Sequence, residues 1–106
     1  MTEKYILNEQ GNPVVERDLM KWARWFELAD REIARDAIGN VTVSTVFLGL
    51  DHSFSGEPPV LFETIIIGGT HGGYMKRYAN RVAALAGHDQ AMVLVRDSGD
   101  FTSLHD

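Results

Sequence analysis

Residues 41–69, VTVSTVFLGLDHSFSGEPPVLFETIIIGG, constrain the fold of this chain more than any other stretch. Two runs rich in Val, Ile, Phe and Thr flank a short polar segment that contains Gly and a Pro pair. Because such runs separated by Gly and Pro are typical of strands joined by a turn, the stretch predicts an antiparallel hairpin. The predicted strands cover residues 41–50 and 60–67.

The residues before the hairpin predict a helix over 18–37. Apolar side chains recur there at three- and four-residue steps and form one stripe, which is the pattern of an amphipathic helix. Asp18 is a suitable N-cap, because its carboxylate can accept a free amide of the first turn. Gly39 and Asn40 tolerate a left-handed conformation and mark the predicted end of this helix.

The residues after the hairpin predict a turn, a third strand and a second helix. The glycine-rich loop 68–73 leads into 74–78, where alternation predicts a strand. Asn80 is the predicted N-cap of a helix over 81–96, in which Gly87 indicates a close packing contact. The chain is therefore predicted to be one α+β domain over 1–106. Its architecture would be a three-stranded antiparallel β-meander with two packed helices, in the order α-β-β-β-α, with a short N-terminal arm (1–17) and a flexible tail (97–106).

The composition narrows the classes of function. The formal net charge is −5 over 106 residues, which disfavours direct nucleic-acid binding because that requires a basic surface. There is no Cys, so disulfides, thiolate metal sites and a Cys nucleophile are excluded. The sequence has no signal-peptide pattern and no apolar run of the ~18 residues that span a membrane. We therefore expect a cytoplasmic protein with no membrane contact and no cofactor.

Asp51, His52, Glu63 and His88 form the candidate set for acid–base or divalent-metal chemistry. Imidazole transfers protons or binds metals near neutral pH, and carboxylates supply hard oxygen ligands. Against this set, the adjacent Asp51 and His52 point to opposite faces of a regular strand. The alternative is structural: Asp51 and His52 bond turn amides, and His88 lies in the core. Glu63 then pairs with an arginine such as Arg77 or Arg81, or with His88, because an unpaired buried carboxylate is costly.

A second candidate site combines the glycine-rich loop with the strand that follows it. Thr70 and His71 lie between two glycine pairs, a composition that can cradle an anion. Arg77 can bind a phosphate through two hydrogen bonds, and Tyr78 can stack on a base. The loop lacks the spacing of a P-loop or a dinucleotide fingerprint, so a plain hairpin turn is the alternative.

Contacts with other proteins are predicted for two surfaces. The apolar stripe of the first helix is widened by Met20, Trp25 and Leu28. This indicates either a broad core contact or that Trp22 or Trp25 is a partly exposed anchor for a partner. The sheet face opposite the helices would expose Val, Leu or Ile, and this favours a homodimer. An acidic helix face could alternatively dock on a basic protein.

Several blocks of the sequence resemble a family of small, mostly uncharacterised proteins from phages, prophages and actinobacteria. The resemblance is carried by VSTVFLGLDH (43–52), PPVLFET (58–64), RY (77–78) and AGH (86–88). This chain has Asn80 where the family has Thr, and it has RVA at 81–83 where the family has Trp-Glu-Glu. The resemblance implies a phage or mobile-element setting, in which small proteins often act against host defence and some sequester or cut nucleotide signals.

The sequence therefore predicts a small phage-type accessory binding protein that acts on a host defence factor or sequesters a small anionic or nucleotide ligand. The candidate ligand-binding residues are Thr70, His71, Arg77 and Tyr78, and the candidate partner-binding residues are Trp22 and Trp25. The alternative function is a small metal-dependent or acid–base hydrolase that uses Asp51, His52, Glu63 and His88.

Overall fold

The computed structural model describes residues 2–53 and 58–100, and in them it is an α+β fold built on a four-stranded antiparallel sheet. The elements follow in the order β1 (Tyr5–Leu7), β2 (Pro13–Val15), α1 (Leu19–Leu28), β3 (Glu32–Ile38), β4 (Val41–Phe47), β5 (Phe62–Ile67), β6 (Met75–Tyr78) and α2 (Arg81–Ser98). Strands β3 to β6 lie side by side in sequence order, so the main sheet is a meander. Strands β1 and β2 form a separate two-stranded sheet.

The helix predicted over 18–37 is wrong in its second half. Helix α1 ends at Leu28, where the Ala29 amide bonds the Trp25 carbonyl, and strand β3 follows instead of further helix. The apolar residues Ile33, Ala34, Ala37 and Ile38 keep helical spacing, but pairing with β4 overrides this local pattern. The meander therefore has four strands rather than the predicted three, and β3 is one of its edges.

A two-residue turn joins β3 to β4. Ile38 pairs with Val41 in the antiparallel register, so Gly39 and Asn40 form the whole loop. Gly39 has a φ of 58°. Every described residue with a positive φ is a glycine, so the φ of Asn40 is not positive. This combination is the pattern of a type II′ hairpin turn. The left-handed glycine is present as predicted, but it closes a hairpin rather than a helix.

Both predicted N-caps are confirmed. The Asp18 side chain accepts hydrogen bonds from the amides of Met20 and Lys21, and the Asn80 side chain accepts one from the amide of Ala83. Each cap satisfies amides that have no partner within the first helical turn. The sequence therefore fixes where both helices begin, although it misplaces the end of the first.

Several predicted boundaries shift. Strand β4 ends at Phe47 rather than at 50, and β5 begins at Phe62 rather than at 60. Helix α2 continues past 96 to Ser98, where Gly99 in the left-handed conformation ends it. The predicted tail is thus helical at its start, and its residues 101–106 lie outside the described residues. Neither α1 nor α2, as described, is long and apolar enough to cross a membrane.

The predicted N-terminal arm forms the β1–β2 hairpin and docks at one end of the main sheet. The Tyr5 amide donates to the Gly49 carbonyl (2.8 Å) just beyond β4. The Trp22 indole Nε1 donates to the carbonyls of both Tyr5 and Gly49 (3.1 Å each). The molecule measures 55 × 29 × 22 Å and has a radius of gyration of 15.7 Å, against about 13 Å for a compact chain of this length. The hairpin and α1 therefore lengthen the molecule at this end.

Helix α2 covers one face of the sheet, and the core lies between them. One cluster consists of Val41, Val43, Ile66, Ala91, Met92 and Val95. A second cluster consists of Phe47, Leu61, Phe62 and Ala84. Trp25 of α1 packs on the second cluster, with its ring edge-on to Phe47 at 5.7 Å between centroids. Both helices therefore lie on the same side of the sheet.

The other side of the sheet, here called the open face, has no covering element among the described residues. The strand register arranges its side chains in three rows that run from β3 to β6. The first row is Glu32, Val46, Glu63 and Arg77; the second is Arg35, Ser44, Ile65 and Met75; the third is Ala37, Thr42 and Ile67. The exposed fractions of Ile67 and Met75 are 50% and 54%. The predicted apolar sheet face is therefore present.

Candidate functional site

His88 is the centre of a buried polar network beneath α2. Its Nδ1 lies 2.7 Å from Thr45 Oγ1, and its Nε2 lies 2.8 Å from Asp36 Oδ2. Thr45 Oγ1 in turn lies 2.6 Å from Thr64 Oγ1. His88 itself is buried, whereas the Asp36 side chain is 55% exposed. A line of four polar side chains therefore runs from the surface at Asp36 to the core at Thr64.

The strand register explains why these side chains meet. Thr45 of β4 lies directly opposite Thr64 of β5, and Asp36 of β3 lies opposite Val43 of β4. All of these positions have the parity that faces α2. His88 lies on the buried side of α2, so its ring lies against the same face. The network is thus assembled from three strands and one helix.

This network has the order carboxylate, imidazole, hydroxyl that activates a nucleophile in many hydrolases. Thr45 and Thr64 are completely buried, however, so neither hydroxyl can meet a substrate while α2 is in place. With the His88 proton on Nε2, every hydrogen bond is satisfied, because Nε2 donates to Asp36, Thr45 donates to Nδ1 and Thr64 donates to Thr45. The arrangement therefore acts as a satisfied polar core that fixes how α2 sits on the sheet.

Asp51 connects the two ends of the loop between β4 and β5. Its Oδ1 accepts the amides of Ser53 (2.8 Å) and Val60 (3.0 Å). Burial raises the pKa of the Asp51 carboxyl, but these amides outweigh it and hold the pKa below its ordinary value. His52 is exposed, and its amide donates to the Val60 carbonyl (2.9 Å). Both residues thus make contacts within the loop.

Glu63 lies on the open face, on the side of the sheet away from His88. Its carboxylate accepts a hydrogen bond from Arg77 Nε at 2.9 Å, whereas the neighbouring Thr64 points towards α2. The four residues of the candidate acid–base set therefore do not converge on one point. The described parts of the chain contain no group of three or more His, Asp or Glu side chains that could hold a metal ion.

The glycine-rich loop binds a carboxylate of its own chain. Thr70 donates its amide (2.9 Å) and its hydroxyl (2.6 Å) to the two oxygens of Asp100, which follows α2. These hydrogen bonds, that of the hydroxyl foremost, hold the pKa of Asp100 below its ordinary value. Gly69 allows this approach, because a Cβ there would overlap the Asp100 carboxylate. The donors of Thr70 are therefore used inside the molecule, and the half-buried His71 lies beside them.

Arg77 and Tyr78 are neighbours in β6 and therefore point to opposite faces of the sheet. Arg77 lies on the open face with Glu63, whereas Tyr78 lies beneath α2 against Gly87. Burial, with a smaller contribution from Tyr74, raises the pKa of Tyr78 to about 12. The Tyr78 hydroxyl makes no hydrogen bond to a described residue. The two side chains do not line one ligand site.

Both tryptophans of α1 are half-buried, and each turns part of its ring inward. The Trp22 indole donates to backbone carbonyls, and the Trp25 ring packs on Phe47. The solvent side of α1 is strongly apolar for an exposed surface, since Met20 is 75% and Leu28 is 77% exposed. No residue of α1 is buried. A shallow depression on this side is lined by Lys21, Arg24, Trp25, Leu28 and Ala29.

The sequence interpretation missed the partners of His88. The predicted helix over 18–37 contains Asp36, so the sequence does not indicate that Asp36 lies opposite Val43. Thr45 and Thr64 are visible in the sequence as polar residues inside apolar strands, and this is the available signal. Only the strand register shows that they are opposite each other.

No protein-family model, no characterised protein and no solved structure matches this chain. The resemblance to phage and prophage proteins therefore stays a prediction from the sequence blocks.

Proposed function

We propose that this chain is a non-catalytic binding protein that docks a protein partner through the solvent side of α1. The observation that carries the proposal is that this ten-residue helix has no buried residue. Three of its large apolar side chains, Leu19, Met20 and Leu28, are 58%, 75% and 77% exposed. A short helix in water depends on tertiary contacts for its stability, and large exposed apolar patches mark interaction sites.

The chemistry of the docking surface follows from its residues. Met20, Arg24 and Leu28 are four residues apart and form one line along the helix. Lys21 lies beside this line, and neither it nor Arg24 forms an ion pair with a described residue. The partner would therefore be a protein surface that is apolar at its centre and carries carboxylates at its rim. This sign is the reverse of the acidic helix face that the sequence suggested.

The network around His88 favours binding over catalysis. Its hydroxyls are sealed under α2, and its hydrogen bonds are satisfied without a ligand. Support for an anion site is also weaker, because Thr70 already donates to Asp100 and because Arg77 and Tyr78 point to opposite faces of the sheet. Trp25, which borders the α1 depression, remains a candidate partner-binding residue, whereas Trp22 attaches the N-terminal hairpin.

The biological setting is part of the same proposal. The sequence blocks that resemble phage and prophage proteins support an accessory role, with a host factor, such as a component of host defence, as the partner. The exposed apolar side chains of the open face, Ile67 and Met75, support a homodimer as the working unit. A cytoplasmic location fits such a target.

The experiment compares capture of a partner by two matched pairs of substitutions. The test variant is Met20→Ser/Leu28→Ser on α1, and the control is Val82→Ser/Val93→Ser on α2, where Val82 and Val93 are 80% and 49% exposed. Burying a Met or Leu side chain contributes roughly 1.5 kcal/mol or more, so the test variant should bind a purified, captured partner at least about tenfold more weakly. The control should bind like the wild type.

Equal binding by the α1 variant and the wild type would overturn the proposal. A thermal-shift screen of metal-stripped protein tests the alternatives, since a ligand of the native state raises its apparent stability. A shift with a divalent metal would favour the hydrolase that uses Asp51, His52, Glu63 and His88. A shift with a nucleotide and no turnover would favour ligand sequestration.

A further inference from the structure

We propose that a second copy of this chain covers the open face, and that the two-fold axis of this dimer runs parallel to the strands. The inference rests on the homodimer proposed above and specifies which residues meet. The open face is the candidate surface for packing against a second copy, because every described element that covers the sheet lies on its other side. Two ion pairs lie on this face, Glu63–Arg77 and Glu32–Arg35. Its apolar residues are Ala37, Val46, Ile65, Ile67 and Met75.

The edges of the sheet are poor sites for a second copy. Edge strand β3 carries Glu32, Arg35 and Asp36, and its register with β4 is irregular between Glu32 and Ala34. Edge strand β6 has only four residues, MKRY. Charges, bulges and short strands are the features by which proteins prevent edge-to-edge pairing. Pairing through the face is therefore favoured over extension of the sheet.

The first row of the open face decides the axis. An axis parallel to the strands keeps each row opposite the same row, and it exchanges β3 with β6 and β4 with β5. Arg77 then faces Glu32 of the other copy, and the same contact occurs twice by symmetry. Arg77 uses Nε for Glu63 within its own chain, and a guanidinium has further donors that can bind a second carboxylate. Because sheets in aligned packing keep their strands within about 30°, this arrangement is also geometrically ordinary.

An axis across the strands gives a worse fit. It would keep β5 opposite β5 and reverse the rows, so the first row would lie opposite the third. Either axis places Glu63 opposite an apolar side chain of the other copy, Val46 or Ile67. The axis across the strands also places Arg35 opposite Arg35, because the second row then faces itself, and like charges meet. Charge complementarity therefore distinguishes the two arrangements.

The size of the face sets the strength of the pairing. Four strands spaced ~4.8 Å apart and six residues of ~3.4 Å give a face of roughly 400 Å² per copy. A stable interface buries about 800 Å² per partner. The dimer should therefore be weak and should dissociate on dilution.

The test uses the full chain and exchanges the sign of the two facing residues. Sedimentation velocity is measured over a concentration series for the wild type, Glu32→Arg, Arg77→Glu and an equimolar mixture of the two variants. Each variant alone places like charges opposite each other, so its self-association should fall on the order of tenfold or more. The mixture should restore association, because both contacts then join opposite charges. Arg96→Glu, on the exposed side of α2, makes the same change in net charge as Arg77→Glu and should associate like the wild type.

The outcomes separate the dimer from its geometry. A wild type that stays monomeric across the series overturns the homodimer, and the axis with it. The axis is overturned, and the homodimer stands, if both charge-reversal variants dimerise like the wild type. The same conclusion follows if their mixture associates no more strongly than each variant alone. If either reversal prevents folding, as judged by its thermal transition, Ile67→Lys replaces it, because Ile67 is half-exposed on the same face. Wild-type association by Ile67→Lys would also overturn the inference.

The α1 variant Met20→Ser/Leu28→Ser should dimerise normally, so failure of partner docking is distinguishable from failure of the dimer.

Discussion

Substitution of Gly87 by Ala tests how closely α2 lies on the sheet. Gly87 is buried in the middle of α2, directly above the Tyr78 ring. A Cβ at position 87 would lie 2.7 Å from Tyr78 Cε1 and closer still to Cζ and the hydroxyl oxygen. Tyr78 packs on the cluster that contains Phe62 and Ala84, so a movement of its ring would disturb that packing. Gly87→Ala should therefore destabilise the fold, although Ala is the better helix former.

The magnitude is the difference between two opposing effects. Replacing Gly by Ala inside a helix contributes about 1 kcal/mol of stability. Inserting a methyl group into a closely packed contact costs about 1–3 kcal/mol, and three Tyr78 atoms within contact range place Gly87→Ala near the top of that interval. The net loss should be roughly 1–2 kcal/mol, or a fall of roughly 4–16 °C in the melting temperature of a domain this size.

A double-mutant cycle with Tyr78→Val provides the decisive measurement. Without the aromatic ring the clash disappears, so Gly87→Ala should stabilise the Tyr78→Val background by about 1 kcal/mol. The sign of the effect therefore inverts, with a coupling of roughly 2–3 kcal/mol. Urea unfolding followed by the fluorescence of Trp22 and Trp25 measures all four proteins, and Ala86→Gly on the exposed side of α2 calibrates the helix-propensity effect alone. Stabilisation of the wild type by Gly87→Ala, or additive effects in the cycle, would refute the close contact.

Two further predictions concern polar groups. Thr45→Val keeps the shape of the side chain but leaves His88 Nδ1 without a donor and Thr64 without an acceptor. The free energy of unfolding, measured in urea, should therefore fall by about 1–3 kcal/mol. Unchanged stability would contradict the network. Asp51 has a folded-state pKa below its usual 3.8, so its contribution is present above pH 3.8 and is lost as the pH falls through the folded pKa. Between pH 5 and about pH 2 the wild type should therefore lose more stability than Asp51→Asn in thermal unfolding, and parallel pH profiles of the two proteins would count against the two amide contacts of Asp51.

The parts of the fold that depend on local chemistry could be predicted from the sequence. Asp18 and Asn80 satisfy the first amides of their helices from within the same few residues, so their role is visible in the sequence. The strands around Val43 and Ile65 have a period of two and lie in the sheet. Gly87 lies inside helix α2, and the close contact that this glycine predicts is made by Tyr78.

The end of α1 could not be predicted in the same way. From Ala29 to Ala37 the apolar residues have helical spacing, so the local pattern predicts a helix where the chain forms a strand. Ladder hydrogen bonds with β4 favour the strand, and these depend on residues that follow later in the chain. The Gly39-Asn40 pair was the available signal, because two turn residues between alternating segments are also typical of a hairpin.

The same misassignment concealed the surroundings of His88. As part of a helix, Asp36 has no reason to lie near position 88, whereas in β3 it faces α2 and reaches the imidazole. The prediction that His88 lies in the core required only its position among apolar residues of α2, and His88 is buried. A residue's burial can thus be predicted from its own element, while its hydrogen-bond partners require the register between elements.

The elongated shape has a consequence for how the protein would bind. The N-terminal hairpin and α1 lie at the end of the sheet where β4 finishes. A two-fold axis parallel to the strands keeps these ends together, so a dimer would present two α1 helices in the same direction. Such a pair gains avidity towards a partner that is itself repeated, because the second contact forms at high effective concentration. Each docking event could then be weak, and dilution that separates the two copies would release the partner.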